Sequence, residues 1–132
     1  MLHLTRVAFG ADSLATLRRR IATNQVGGFL RLNTRYRPKR AEDVIGGSLY
    51  YIIKHRLVGR CEVVGFEETE NGRTHIVLKA ALIAVEPIAR RAHQGWRYME
   101  APDAPRDLGE TVDGAEMLPP DLAEALADAA LL

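Results

Sequence analysis

The chain has 132 residues, 47% hydrophobic and 27% charged, with a formal net charge of +1 and a single cysteine. That is enough for one domain with a buried core and too little for two ordinary ones, and so average a composition excludes a disordered body. One cysteine, Cys61, excludes an internal disulfide or a cysteine-built zinc site, and no apolar run approaches the ~20 residues needed to cross a bilayer.

The opening MLHLTRVAFG sets Arg6 inside its apolar stretch and lacks a small-residue cleavage site, which argues against a secretory signal. No membrane role is expected, and the cytoplasm is the expected compartment. The near-neutral total conceals a split. Residues 1–97 carry 17 Lys and Arg against 8 Asp and Glu, whereas residues 98–132 carry one Arg against 9 acids. A basic body suits a polyanion, and an acidic tail can fold over that body, compete for it or hold a partner of its own.

In chain order, Leu2 to Phe9 read as a strand. Asp12 is placed to cap a helix with Leu14, Leu17 and Ile21 on one face, and Arg18, Arg19 and Arg20 fall in its last turns, where cations complement the helix dipole. Asn24 to Gly28 form a loop. Leu30 to Arg37 then alternate, with Leu30, Leu32 and Tyr36 on one side and Arg31, Asn33, Arg35 and Arg37 on the other, until Pro38 ends the strand. Ala41 to Ile45 make about one helical turn before Gly46 and Gly47.

Residues 48–53, SLYYII, are apolar on both faces and predict a central strand. A strand over 57–66 follows, then a turn at Glu70, Asn71 and Gly72, then a single strand over 75–86 closed by Pro87. In that last strand Ile76, Leu78, Ala80, Leu82 and Ala84 point one way. The alternation around Cys61 makes its thiol a small buried hydrophobe. A further strand is expected around Trp96 to Met99.

The predicted organisation is a body over residues 1–99, an acidic Pro-rich linker or arm over 100–118 and an amphipathic C-terminal helix over 119–132. The fold class is α+β: a small mixed or antiparallel barrel of about six strands with short helices.

The segments RPKRAEDVIGGSLYYIIK (37–54) and HQGWRYMEAPDAPRDL (93–108) resemble the bacterial family catalogued as domain of unknown function 1489, over nearly the whole chain. Tyr51 stands where that family's pattern more often has Trp, and the loop after the first helix is short. This resemblance implies no activity. A basic strand end, a short helix, a Gly-Gly turn, LVGRCEVVGF and a hairpin ending Val-Glu-Pro-Ile also resemble the PUA-like superfamily, including its ASCH and EVE branches. That resemblance implies a PUA-like barrel and a reader of RNA or modified bases, on fold-level analogy.

The candidate surface joins Arg35, Arg37, Lys39 and Arg40 to Arg90, Arg91, His93, Gln94, Trp96, Arg97 and Tyr98. Clustered cations neutralise phosphate, and aromatic faces stack on unpaired bases. Nucleic acid, RNA above all, is the expected partner, with the cations and Gln94 on the strand and Trp96 or Tyr98 under a base. The same residues also suit a structural role in which Trp96 and Tyr98 fill the barrel while the arginines pair with the acidic tail.

Gly46 and Gly47 suit a tight turn better than a ligand cradle. His55 and His93 lack metal-ligand spacing, no nucleophile or phosphate-loop motif occurs, and no catalytic residue, metal or cofactor is expected. Two alternatives remain. One is a small ASCH-like amidohydrolase on a modified nucleoside, with Lys39, Thr34 and Glu62 matching that branch's residue types but not its Lys-x-x-Thr spacing. The other is a protein-interaction domain docking through the acidic C-terminal helix.

Overall fold

The structure, a computed structural model, describes residues 1–108. The predicted linker beyond Leu108 and the helix over 119–132 lie outside the described residues. Within them are seven strands and two short α-helices: β1 (Leu2–Val7), α1 (Leu14–Asn24), β2 (Phe29–Thr34), α2 (Ala41–Val44), β3 (Ser48–Ile53), β4 (Arg56–Glu68), β5 (Thr74–Lys79), β6 (Ile83–Ala89) and β7 (Trp96–Glu100), followed by a 3-10 turn over Ala101–Asp103.

The strands form one mixed sheet in the order β2-β5-β4-β3-β1-β7, with β6 also on β4. Only β1 and β3 run parallel; every other ladder is antiparallel. No ladder joins β2 to β7, the two ends of that order, among the described residues. The expected α+β class with a mixed sheet therefore holds at the level of a seven-stranded sheet with short helices.

Three local expectations need correction. Ser13, not Asp12, caps α1: its backbone is extended and its Oγ accepts from the Thr16 amide at 3.1 Å. The helix then runs on to Asn24, so Arg18, Arg19 and Arg20 sit in its middle and no basic residue occupies its last turn. They do not serve the helix dipole. Leu17 and Ile21 are buried and Leu14 packs beside them, as their spacing predicts.

Strand β2 stops at Thr34, three residues short of the predicted end, because its partner β5 begins at Thr74, directly across from Thr34. Arg35, Tyr36 and Arg37 have no ladder to join and become loop.

The third correction concerns residues 75–86, which form two strands rather than one. β5 and β6 both pair with β4 and are separated at residues 80–82. Pro87 lies inside β6, where the β4 register shifts between Leu57 and Gly59, and at such an irregularity a missing N–H costs no ladder bond.

Strand β3 is buried along its whole length because the sheet is covered on both faces. Leu49, Tyr51 and Ile53 join Leu2, Leu4, Leu17, Cys61 and Ile76 in one apolar cluster; Tyr50 and Ile52 join Leu57, Val85 and Met99 in another. Cys61 is fully buried, and burial pushes its thiol up to about 12, consistent with a small core hydrophobe.

Residues after β7 return along β6. Val85 and Asp107 form a bridge, the Glu86 amide donates to the Arg106 carbonyl at 2.8 Å and the Leu108 amide to Ala84 at 3.2 Å. Arg60 clamps this segment from β4 with a forked pair to Asp107, at 2.8 and 2.7 Å, while its Nη1 donates to Ser48 Oγ at 2.8 Å. The Arg60 hydrogen bonds hold the Asp107 carboxyl below its ordinary 3.8.

A carboxyl whose pKa is depressed by folding stabilises the fold above its unfolded value and loses that contribution as pH falls through the folded one. Asp107 is 39% exposed, so screening keeps the effect modest. Denaturant titrations of Asp107→Asn are expected to show lower stability than wild type at neutral pH, with the gap closing as pH drops below 3.8. A gap that persists unchanged into acid would contradict an electrostatic clamp.

Candidate nucleic-acid interface

The loop between β2 and α2 carries four of the predicted cations. It leaves the sheet beside Asn33, whose carbonyl accepts from Arg6 Nη1 on β1 at 3.4 Å. It reaches α2 at Arg40, whose amide donates to the Tyr98 hydroxyl of β7 at 3.0 Å. The buried Pro38 anchors its middle, and Arg35, Tyr36, Arg37 and Lys39 all face solvent.

These cations differ in what already neutralises them. The Arg40 guanidinium pairs with Asp43 at 3.0 Å and Glu100 at 3.7 Å, and the Asp43 hydrogen bond raises its pKa further. Arg37 lies 5.9 Å from the centre of the Phe66 ring, within reach of a cation–π contact. Arg35, Arg37 and Lys39 have no carboxylate partner among the described residues.

On β7, alternation puts Trp96, Tyr98 and Glu100 on one face and Arg97 and Met99 on the other. Trp96 is half-buried against the core, and its ring meets Tyr98 edge-on with centroids 5.0 Å apart. Tyr98 remains 37% exposed, which leaves part of its ring for stacking. Loop and strand thus meet at Arg40 and Tyr98, with Trp96 behind Tyr98, while Arg37 reaches toward Phe66 of β4 and Arg35 stands at the β2 end of the loop.

The other predicted residues sit elsewhere. Arg97 is exposed on the opposite face of β7, beside the buried Met99. Arg90 follows β6 at the β3–β4 turn, its amide donating to the His55 carbonyl at 2.9 Å, and its half-buried side chain leaves Nε without a hydrogen-bond partner among the described residues. Arg91 and Gln94 are exposed on the loop leading to β7.

His55, which is exposed, and His93, which is half-buried, both have structural tasks. His55 Nδ1 accepts from the Ala92 amide at 3.1 Å, and His93 Nε2 lies 2.8 Å from the buried Thr5 hydroxyl. The hydrolase trio does not converge. Glu62 pairs with Lys79 at 2.9 Å, while Thr34 lies across Thr74, opposite Glu68. No group of His, Cys, Asp or Glu among the described residues is arranged to hold a metal, and no helix among them is long and apolar enough to cross a membrane.

Sequence reasoning missed a groove next to this surface. Arg6 and Arg20 converge there from β1 and α1 over Tyr51 of β3, with the exposed Phe9 at the rim. Burial keeps the Tyr51 phenol protonated well above its ordinary range, against the opposing pull of Arg6 and Arg20. One signal was present in the chain: a charged residue, Arg6, on the face of β1 that also carries Leu2 and Leu4.

The family described as Protein of unknown function (DUF1489) matches residues 4–132. No curated protein and no solved structure matches the chain.

Proposed function

The chain belongs to the DUF1489 family, whose description assigns no activity, and from its surface we propose a binding module for single-stranded nucleic acid, RNA above all, that performs no chemistry. One observation carries this reading. The loop that holds Arg35, Arg37 and Lys39 without carboxylate partners is tied through the Arg40 amide to Tyr98, an exposed aromatic backed by Trp96. Cations supply phosphate neutralisation, and a ring fixed from behind is a stacking platform with little rotamer entropy left to lose.

The PUA-like barrel is part of the same proposal. Strands pair continuously from β6 through β4, β3 and β1 to β7, and the residues after β7 come back to β6 through Val85 and Asp107. Such a return supports a curled sheet with the basic loop at one mouth.

Tyr98→Ala is expected to weaken RNA binding by about 1–3 kcal/mol, measured by fluorescence anisotropy of a labelled strand. Tyr98→Phe removes only the hydroxyl bound by the Arg40 amide and is expected to keep near-wild-type affinity. Equal losses in both variants would assign the effect to loop anchoring instead, and wild-type affinity in both would remove Tyr98 from the interface.

A further inference from the structure

We propose that the groove between the end of β1, α1 and β2 receives one nucleotide of the bound strand, its phosphate on Arg6 and Arg20 and its base against the apolar wall beside Tyr51. This deepens the nucleic-acid reading and rests on it.

The groove encloses about 310 Å³, at the lower end of the ~300–1,000 Å³ typical of small-ligand sites. Its wall is apolar, formed by Leu17 and Ile21 of α1 and Leu30 of β2, and the Tyr51 hydroxyl in its lining has no hydrogen-bond partner among the described residues. Among the described residues, Arg6 and Arg20 bond only to neutral backbone carbonyls, of Asn33 and Phe9 respectively. Each guanidinium is thereby held in place while its charge meets no carboxylate among the described residues. Arg31, at another edge, is already paired with Glu67 at 2.8 Å and adds little.

A flat, partly apolar ring attached to an anion matches these features together. Phe9, 59% exposed at the rim, offers a second aromatic surface. The groove also continues the loop surface. Arg6 is the cross-strand partner of Trp96, and the carbonyl it binds belongs to Asn33, at the root of the basic loop. The groove therefore adjoins the start of the loop that carries Arg35 and Arg37. A wider concavity of about 380 Å³ at the β4–β5 turn is lined by polar residues including Glu70, so it supplies neither an apolar wall nor an anion site.

The test uses the full chain, with free nucleoside monophosphates, inorganic phosphate and a short mixed RNA as separate probes. Binding of the monophosphates is read through Trp96 fluorescence, and they are also used to compete with labelled RNA. The Arg6→Gln/Arg20→Gln variant is expected to weaken monophosphate binding about tenfold or more, since hydrogen bonds to charged groups contribute about 1.5–3 kcal/mol. Phe9→Ala changes only an exposed ring and is expected to weaken monophosphates more than inorganic phosphate. Arg20→Lys keeps the charge but loses the fork and is expected to fall between the glutamine variant and wild type. It provides a second reading if the double variant does not fold.

RNA binding that is unchanged in the folded variants and not displaced by monophosphates would overturn the groove assignment and leave the RNA reading standing. Monophosphate binding without RNA binding would do the reverse: the groove would be a site for free nucleotides. Binding of neither probe would overturn both.

Discussion

Gly47→Ala is expected to cost about 3 kcal/mol or more of folding stability, the upper end of what overpacking a core costs. A Cβ at this position would sit 2.2 Å from the Leu2 carbonyl oxygen, 3.0 Å from that of Val44 and 3.1 Å from His3 Nδ1. The two closest atoms are backbone. Leu2 belongs to β1, laddered to β7, and Val44 is fully buried, so neither retreats as a flexible side-chain end would.

The glycine is also held from the far side: the Val63 amide donates to its carbonyl at 2.8 Å, while Gly46, with φ at +90°, donates to the Val63 carbonyl at 2.9 Å. His3 adds a further constraint, because its Nδ1 accepts from the Ser48 amide at 3.0 Å. Burial lowers the pKa of this imidazole and so favours the neutral ring that such acceptance needs. A loss of this size corresponds to a fall of about 12 °C or more in the midpoint of a thermal melt. Gly65→Ala is the matched control, since nothing among the described residues lies within 4 Å of its added carbon. A Gly47→Ala melt as high as that of the control would contradict the packing described for this turn.

That position illustrates which parts of the fold are legible in the chain. A Gly-Gly pair before SLYYII predicts a turn into a strand, and the two-faced apolarity of Tyr50, Tyr51 and Ile52 predicts its central place; both follow from period-two alternation, which is local. The extent of α1 is less legible. Nothing after Arg20 breaks a helix, and the cap residue Gln25 carries no glycine signal, so the arginine run looked terminal when it is central.

The end of β2 is set by a partner far along the chain, at Thr74, and the division of β5 from β6 by the bend they make against β4. Periodicity cannot register such long-range facts. The same limit applies to the site. The basic loop and the β7 aromatics were readable as residue types, and their meeting through Arg40 and Tyr98 is consistent with grouping them. The separation of Arg97 from Trp96 and Tyr98 follows from alternation within β7 itself, whereas the approach of Arg6 to Arg20 depends on how α1 packs against the sheet.

Arg35→Glu/Arg37→Glu is the second substitution with a large expected effect. Both side chains are exposed and have no carboxylate partner among the described residues, so reversing their charge breaks no ion pair within them. The thermal melt is expected to stay near that of wild type. RNA affinity at low salt is expected to fall roughly a hundredfold, the combined effect of two charge-assisted contacts of about 1.5 kcal/mol each. The salt dependence is expected to flatten as well, by about 0.7 in log-log slope for each phosphate no longer neutralised. Lost affinity with an unchanged slope would show that the two arginines act through the loop's shape rather than on phosphate.

The most direct measurement is the binding of the wild-type chain to a short mixed single-stranded RNA, and to DNA of the same length, across a salt series. A basic surface working on phosphate predicts measurable binding to both strands at low salt, with log affinity falling linearly in log salt at about −0.7 per contacted phosphate. A folded protein that binds neither strand at low salt, or binds them with no salt dependence, would contradict the account.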